Sequence, residues 1–87
     1  MASYDYRDYK QHVFTEEGSR QFLRIRDRVK SLLHNAGCFN MESAIRGEVG
    51  MSWNMMACVD RLVELGEIVE IKQEITPAGQ HRIFTDK

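Results

Sequence analysis

Three histidines, two cysteines and thirteen carboxylates are the residues of this 87-residue chain whose types could carry chemistry. Imidazole with carboxylate serves acid–base catalysis, and imidazole with thiolate binds zinc. The spacing argues against both. His12, His34 and His81 fall in no motif that pairs a nucleophile with a base, and the chain has neither a phosphate loop nor the glycines of a dinucleotide-binding turn. Cys38 and Cys58 lie far apart, with no CxxC and no Cys/His pair at zinc-finger spacing. A zinc set could be assembled from His34, Cys38, Cys58 and His81, but two reduced, largely buried thiols fit the spacing better. The expectation is a protein that is not an enzyme and has no catalytic residues, cofactor or metal.

A second group of residues bears on binding. Arg20, Arg24, Arg26, Arg28 and Lys30 crowd one short stretch with Asp27 as the only acid among them. That run could track phosphates, although a solvated outer face explains it more simply. Tyr4, Tyr6, Tyr9 and Phe14 alternate with Asp5, Arg7, Asp8 and Lys10, and no turn or partner strand stands beside them. Residues 1–14 are therefore read as a flexible aromatic and charged arm, available to dock on DNA or on a second subunit. Overall charge gives no help: 12 Lys and Arg against 13 Asp and Glu leave a net of -1. Any contact with nucleic acid must come from local placement rather than from a basic balance.

The elements that would position these residues follow from periodicity. Thr15 can cap a helix whose first turn carries Glu16 and Glu17, where carboxylates favour the positive end of the dipole. Phe22, Ile25, Val29, Leu32 and Leu33 recur at helical spacing until about Ala36, and Gly37 suits the left-handed position beyond the end. Asn40 can cap a short second helix with Met41, Ala44, Ile45 and Val49 facing inward, closed by Gly50. Ser52 can cap a third, in which Met55, Met56, Val59, Leu62, Val63 and Leu65 repeat until Gly66. Beyond Gly66 the period changes. Residues 68–73 and 80–85 read as strands around a Thr76-Pro77-Ala78-Gly79 turn, which makes a β-hairpin.

A chain of this length supports one small core over residues 15–87, with no room for a deep substrate cavity. The amino-terminal residues lack the apolar core of a signal peptide, and nothing approaches the roughly 18 apolar residues of a membrane span. The expected setting is cytoplasmic, with no membrane partner.

Three helices followed by a two-stranded hairpin is an α+β order that resembles the winged helix-turn-helix superfamily. Ile45-Arg46-Gly47-Glu48-Val49-Gly50-Met51-Ser52 resembles its second helix and turn. Val59-Asp60-Arg61-Leu62-Val63-Glu64-Leu65-Gly66-Glu67-Ile68 resembles its third helix running through a glycine into the first strand. The likeness implies a third helix that enters the major groove, with the hairpin wing reaching phosphates or the minor groove. Carried onto this sequence, it places Ser52, Trp53, Asn54 and Ala57 outward, with Ser52 on a phosphate and Asn54 reading an adenine edge. Arg61, Lys72 and Arg82 become candidate phosphate contacts, and Gln73 and His81 candidate donors from the wing. One departure matters: no cation lies between Ser52 and Val59.

The function implied is that of a small double-stranded-DNA-binding transcription regulator. The competing expectation is a protein-interaction module without DNA binding, in which Trp53, Met56 and Met51 form an exposed anchor patch. The arm makes a homodimer possible in either case.

Overall fold

The computed structural model describes residues 4–72 and 82–87. Among these the chain is α+β, with helices α1 (Tyr6–Val13), α2 (Glu16–Ala36), α3 (Met41–Ile45) and α4 (Ser52–Glu64), and strands β1 (Cys38–Asn40), β2 (Ile68–Lys72) and β3 (Ile83–Asp86). The strands form an antiparallel sheet in the order β1-β3-β2. The expected turn at 76–79, and with it Gln73 and His81, lies outside the described residues.

The long helix behaves as its sequence predicts. Thr15 accepts a hydrogen bond from the Gly18 amide at 2.9 Å, and Gly37 closes the helix at φ 78° with its amide donated to the Leu33 carbonyl. Asn40 caps α3 in the same manner, accepting from the Ser43 amide at 2.8 Å. Ser52 differs from expectation. Met51 occupies the capping position of α4, Ser52 is the first helical residue, and no side chain caps that end.

Two elements were not anticipated. The expected arm is helical over Tyr6–Val13, started by Asp5 accepting from the Arg7 amide, and it packs on α2 and α4. Cys38–Asn40 forms a third strand against β3, with Phe39 opposite Phe84 and their rings stacked at 5.3 Å. Cys38 is exposed at that edge while Cys58 is buried, so only one of the two thiols is in the interior.

The core lies where the helices meet the sheet. Ile25 and Val29 from α2, Met41, Ala44 and Ile45 from α3, and Met55, Met56, Val59 and Leu62 from α4 close over Phe39, Ile68 and Phe84. Burying each of the larger side chains contributes about 1.5–3 kcal/mol, which is how so short a chain offsets its ordering entropy. Val49 does not join them. Arg46 leaves the helical region at ψ 133°, α3 ends early, and Val49 stands 87% exposed in the following turn.

Candidate nucleic-acid interface

The expected reading surface is the outward face of α4, and α1 covers most of it. Ala57, expected outward, is 0% exposed, and every residue from Met55 through Asp60 is buried. Trp53 is half-buried, its ring meeting Tyr9 edge-on at 5.4 Å and Tyr4 at 6.2 Å. Edge-to-face contact is the arrangement that aromatic quadrupoles favour, so the tyrosines of the expected arm find their partner on α4.

Polar contacts hold α1 in place. Glu64 accepts from Tyr6 at 2.8 Å, Lys10 at 2.7 Å and Arg61 at 2.7 Å. Those hydrogen bonds, from Lys10 first, hold its carboxyl down at about 2. Asp60, near the middle of α4, accepts from the Tyr4 hydroxyl and from Arg82 at 2.7 and 3.1 Å. Arg82 in turn reaches Glu70 of β2 at 2.8 and 3.0 Å. Burial and the neighbouring Asp60 charge push the Tyr4 hydroxyl well above its ordinary pKa, so it remains a donor.

Two expected phosphate contacts are therefore engaged elsewhere. Arg82 is only 16% exposed at its side chain and spans two carboxylates, a placement that stabilises the base of the hairpin. Arg61 pairs with Glu64 and lies over the Phe14 ring at 5.1 Å. Both engagements have one cause: acidic side chains on α4 and β2 sit within reach, and a guanidinium in a half-buried setting takes a carboxylate before it reaches for solvent. Lys72 ends β2. Gln73 and His81 fall outside the described residues.

The amino-terminal end of α4 remains accessible. Ser52 is exposed and Asn54 half-buried, and the side chain of Asn54 makes no hydrogen bond within the described residues. Beside this end lies the α3–α4 turn, organised by Glu48, whose side chain is 4% exposed. Glu48 accepts from Arg24 at 3.0 Å, Arg28 at 3.1 Å and Gln21 at 3.3 Å. Burial raises its pKa, yet these hydrogen bonds outweigh burial and hold the carboxyl below its usual range. Gln21 completes a relay to His12 at 2.8 Å, joining α1 to the turn. Two guanidiniums share the one Glu48 carboxylate, while Arg46, largely exposed, lies 3.4 Å from Glu42, which balances its charge.

The basic run of α2 thus divides. Arg24 and Arg28 serve the turn, whereas Arg26 bonds Glu67 at 2.9 Å on the opposite side. There a cleft lined by Lys30, His34 and Asp86 runs above Leu62 and Ile68 and carries both signs of charge. Burial pushes the Cys58 thiol up to about 12, so it is a protonated core residue. Among the described residues no cluster of His, Cys, Asp and Glu is arranged to hold a metal, and no helix is long and apolar enough to cross a membrane.

No single signal in the sequence marked Glu48, Asp60 and Glu64 as hubs. Each is an ordinary acid in sequence; apart from Arg61, three residues before Glu64 on α4, only the folded chain brings their cationic partners from distant positions. No protein-family model, curated protein or solved structure matches this chain.

Proposed function

We propose that the chain is a winged helix-turn-helix module that binds double-stranded DNA end-on, through the amino-terminal end of α4 and the turn before it, as a small transcription regulator. The observation that carries this reading is the chemistry left open at that end. The first-turn amides of α4 have no side-chain cap, Ser52 and Asn54 are accessible beside them, and in the neighbouring turn two arginines share the single Glu48 carboxylate while Arg46 stands largely exposed. Uncapped helix amides and the dipole favour phosphate oxygens, and guanidiniums add the counterion-releasing contacts that dominate affinity. The α4 body plays no part in reading bases while α1 covers it. Shape and phosphate contacts with limited base readout follow, with Asn54 as the side chain able to discriminate.

The test is an anisotropy titration with fluorescent random-sequence duplex DNA at low and moderate salt. Binding that falls steeply with salt is expected. Absence of binding even at low salt removes phosphate-directed contact and leaves the second reading.

That second reading is a protein-interaction module, favoured by Val49 and Met51, which stand 87% and 56% exposed on the same turn. It differs from the patch expected from sequence, because Met56 is buried in the core and Trp53 is covered by Tyr4 and Tyr9. Val49→Ser with Met51→Ser would then abolish a protein complex with little change in stability, since both side chains are largely exposed.

A further inference from the structure

The connection between α1 and α2 has an unusual economy. Phe14 already lies in the right-handed helical region at φ -92° and ψ -1°, and Thr15 has a helix-compatible φ of -78°. Only the Thr15 ψ of 161° departs far from the helical value of about -42°. Rotation about that one bond, with small adjustment at Phe14, turns α1 and α2 into a single straight helix over residues 6–36. The sequence allows it: the stretch contains no proline and one glycine, Gly18.

In the straight form α1 leaves its own α4, which uncovers Trp53 and Asp60 and frees Glu64 of Tyr6 and Lys10. Few surfaces match what is exposed as well as another α1. Tyr4 and Tyr9 fit the Trp53 ring, the Tyr4 hydroxyl fits Asp60, and Tyr6 and Lys10 fit Glu64. A second copy of this chain supplies all of them in the right order. We propose that α1 exchanges between two copies across a hinge at Thr15, giving a domain-swapped dimer in which every α1–α4 contact is remade between chains. The contacts given up are local. They include the Thr15 hydroxyl on the His12 carbonyl, its cap on the Gly18 amide, the Ser19 hydroxyl on the Val13 carbonyl, and the packing of Gly18 against His12, while the His12–Gln21 bond is remade from the other chain. Backbone hydrogen bonds of a continuous helix through the hinge replace them.

The hinge offers two opposed substitutions. A Cβ on Gly18 has no room against the His12 carbonyl in the folded-back form. In a straight helix that clash disappears, and alanine is the better helix former. Gly18→Ala therefore favours exchange. Proline at position 16 does the reverse, because it is well tolerated as the first residue of a helix and holds the preceding residue in the extended conformation Thr15 already has. It also breaks a helix that runs through it.

The experiment is light scattering on the full chain, with the emission of its single tryptophan followed in parallel. Gly18→Ala is expected at twice the monomer mass with Trp53 emission unchanged, since the ring is covered again by the other chain. Glu16→Pro is expected to stay monomeric, and wild-type protein refolded at high concentration to yield a dimer fraction that Glu16→Pro lacks. A Gly18→Ala monomer overturns the proposal, whether Trp53 emission is native or shifted to the red. A dimer in Glu16→Pro overturns it as well, because the interface is then elsewhere. Should Gly18→Ala fail to fold, Thr15→Ala removes the cap of the folded-back form more gently, and the wild-type and Glu16→Pro refolding comparison decides.

Discussion

The Tyr4 hydroxyl bonds the Asp60 carboxylate across 56 positions of sequence, tying the segment before α1 to the middle of α4. Asp60 shares its other contacts with Arg82, which bridges onward to Glu70. One guanidinium thus bridges two largely buried acids, and its loss would leave both without a cation. Arg82→Ala is expected to destabilise the fold by about 3–5 kcal/mol, the range for leaving a buried charge without its partner. Tyr4→Phe removes one charge-assisted hydrogen bond while Arg82 remains, and should cost about 1.5–3 kcal/mol. Urea unfolding of both variants checks the order, and an equal or larger loss in Tyr4→Phe would contradict Arg82 as the centre of the cluster.

Glu64 makes the seating of α1 sensitive to acid. Its carboxyl, bonded by Lys10, Tyr6 and Arg61, sits at about 2 in the folded chain against an ordinary 4.5. A depressed carboxylate contributes stability that is complete above its unfolded pKa and is lost as the pH falls through the folded one. The window is therefore about 4.5 down to about 2. Trp53 emission should shift to the red across that window as Tyr4 and Tyr9 loosen. In Glu64→Gln the shift within the window should be smaller, because the titrating anchor is already gone.

The sequence made the larger helices legible because their signals are local and redundant. Thr15, the apolar spacing through Leu33 and Gly37 all point to one helix, and α2 has those bounds. Short pieces lacked such redundancy. Three residues cannot display an alternation, so β1 was invisible until Phe39 met Phe84. The tyrosines at positions 4, 6 and 9 resembled a frayed terminus because their partners, Trp53, Asp60 and Glu64, are long-range. That omission had consequences for the site, since Ala57 faces outward in any helix drawn without α1. The ion pairs of the arginines were hidden for a related reason. Charge runs show where cations are in sequence, while the carboxylates that hold Arg28 and Arg82 are chosen by the fold.

Gly37 offers a clean test of backbone conformation. Its φ is 78°, and a Cβ there would meet nothing within 4 Å. Any cost of Gly37→Ala must then come from the left-handed conformation itself, about 1–2 kcal/mol for an L-residue. Thermal or urea unfolding should show that loss with native spectra retained. Gly37→Asn should lose less, since asparagine tolerates this region better.

At the proposed DNA-binding end, side chains that differ in chemistry should fail differently. Arg46 is largely exposed beside the turn and is expected to meet phosphate, so Arg46→Ala should weaken binding similarly across sequences and lower the salt slope by about 1. Asn54 presents an amide able to read a base edge. Asn54→Ala should leave the salt slope unchanged and reduce discrimination among duplexes, by about 1–3 kcal/mol at the base it reads. Arg61 serves as the internal control, because it faces Glu64 and Phe14. Arg61→Ala should leave DNA affinity near that of the unaltered chain. If Arg61→Ala instead weakens binding as much as Arg46→Ala, DNA approaches along the α4 face and α1 must move aside to admit it.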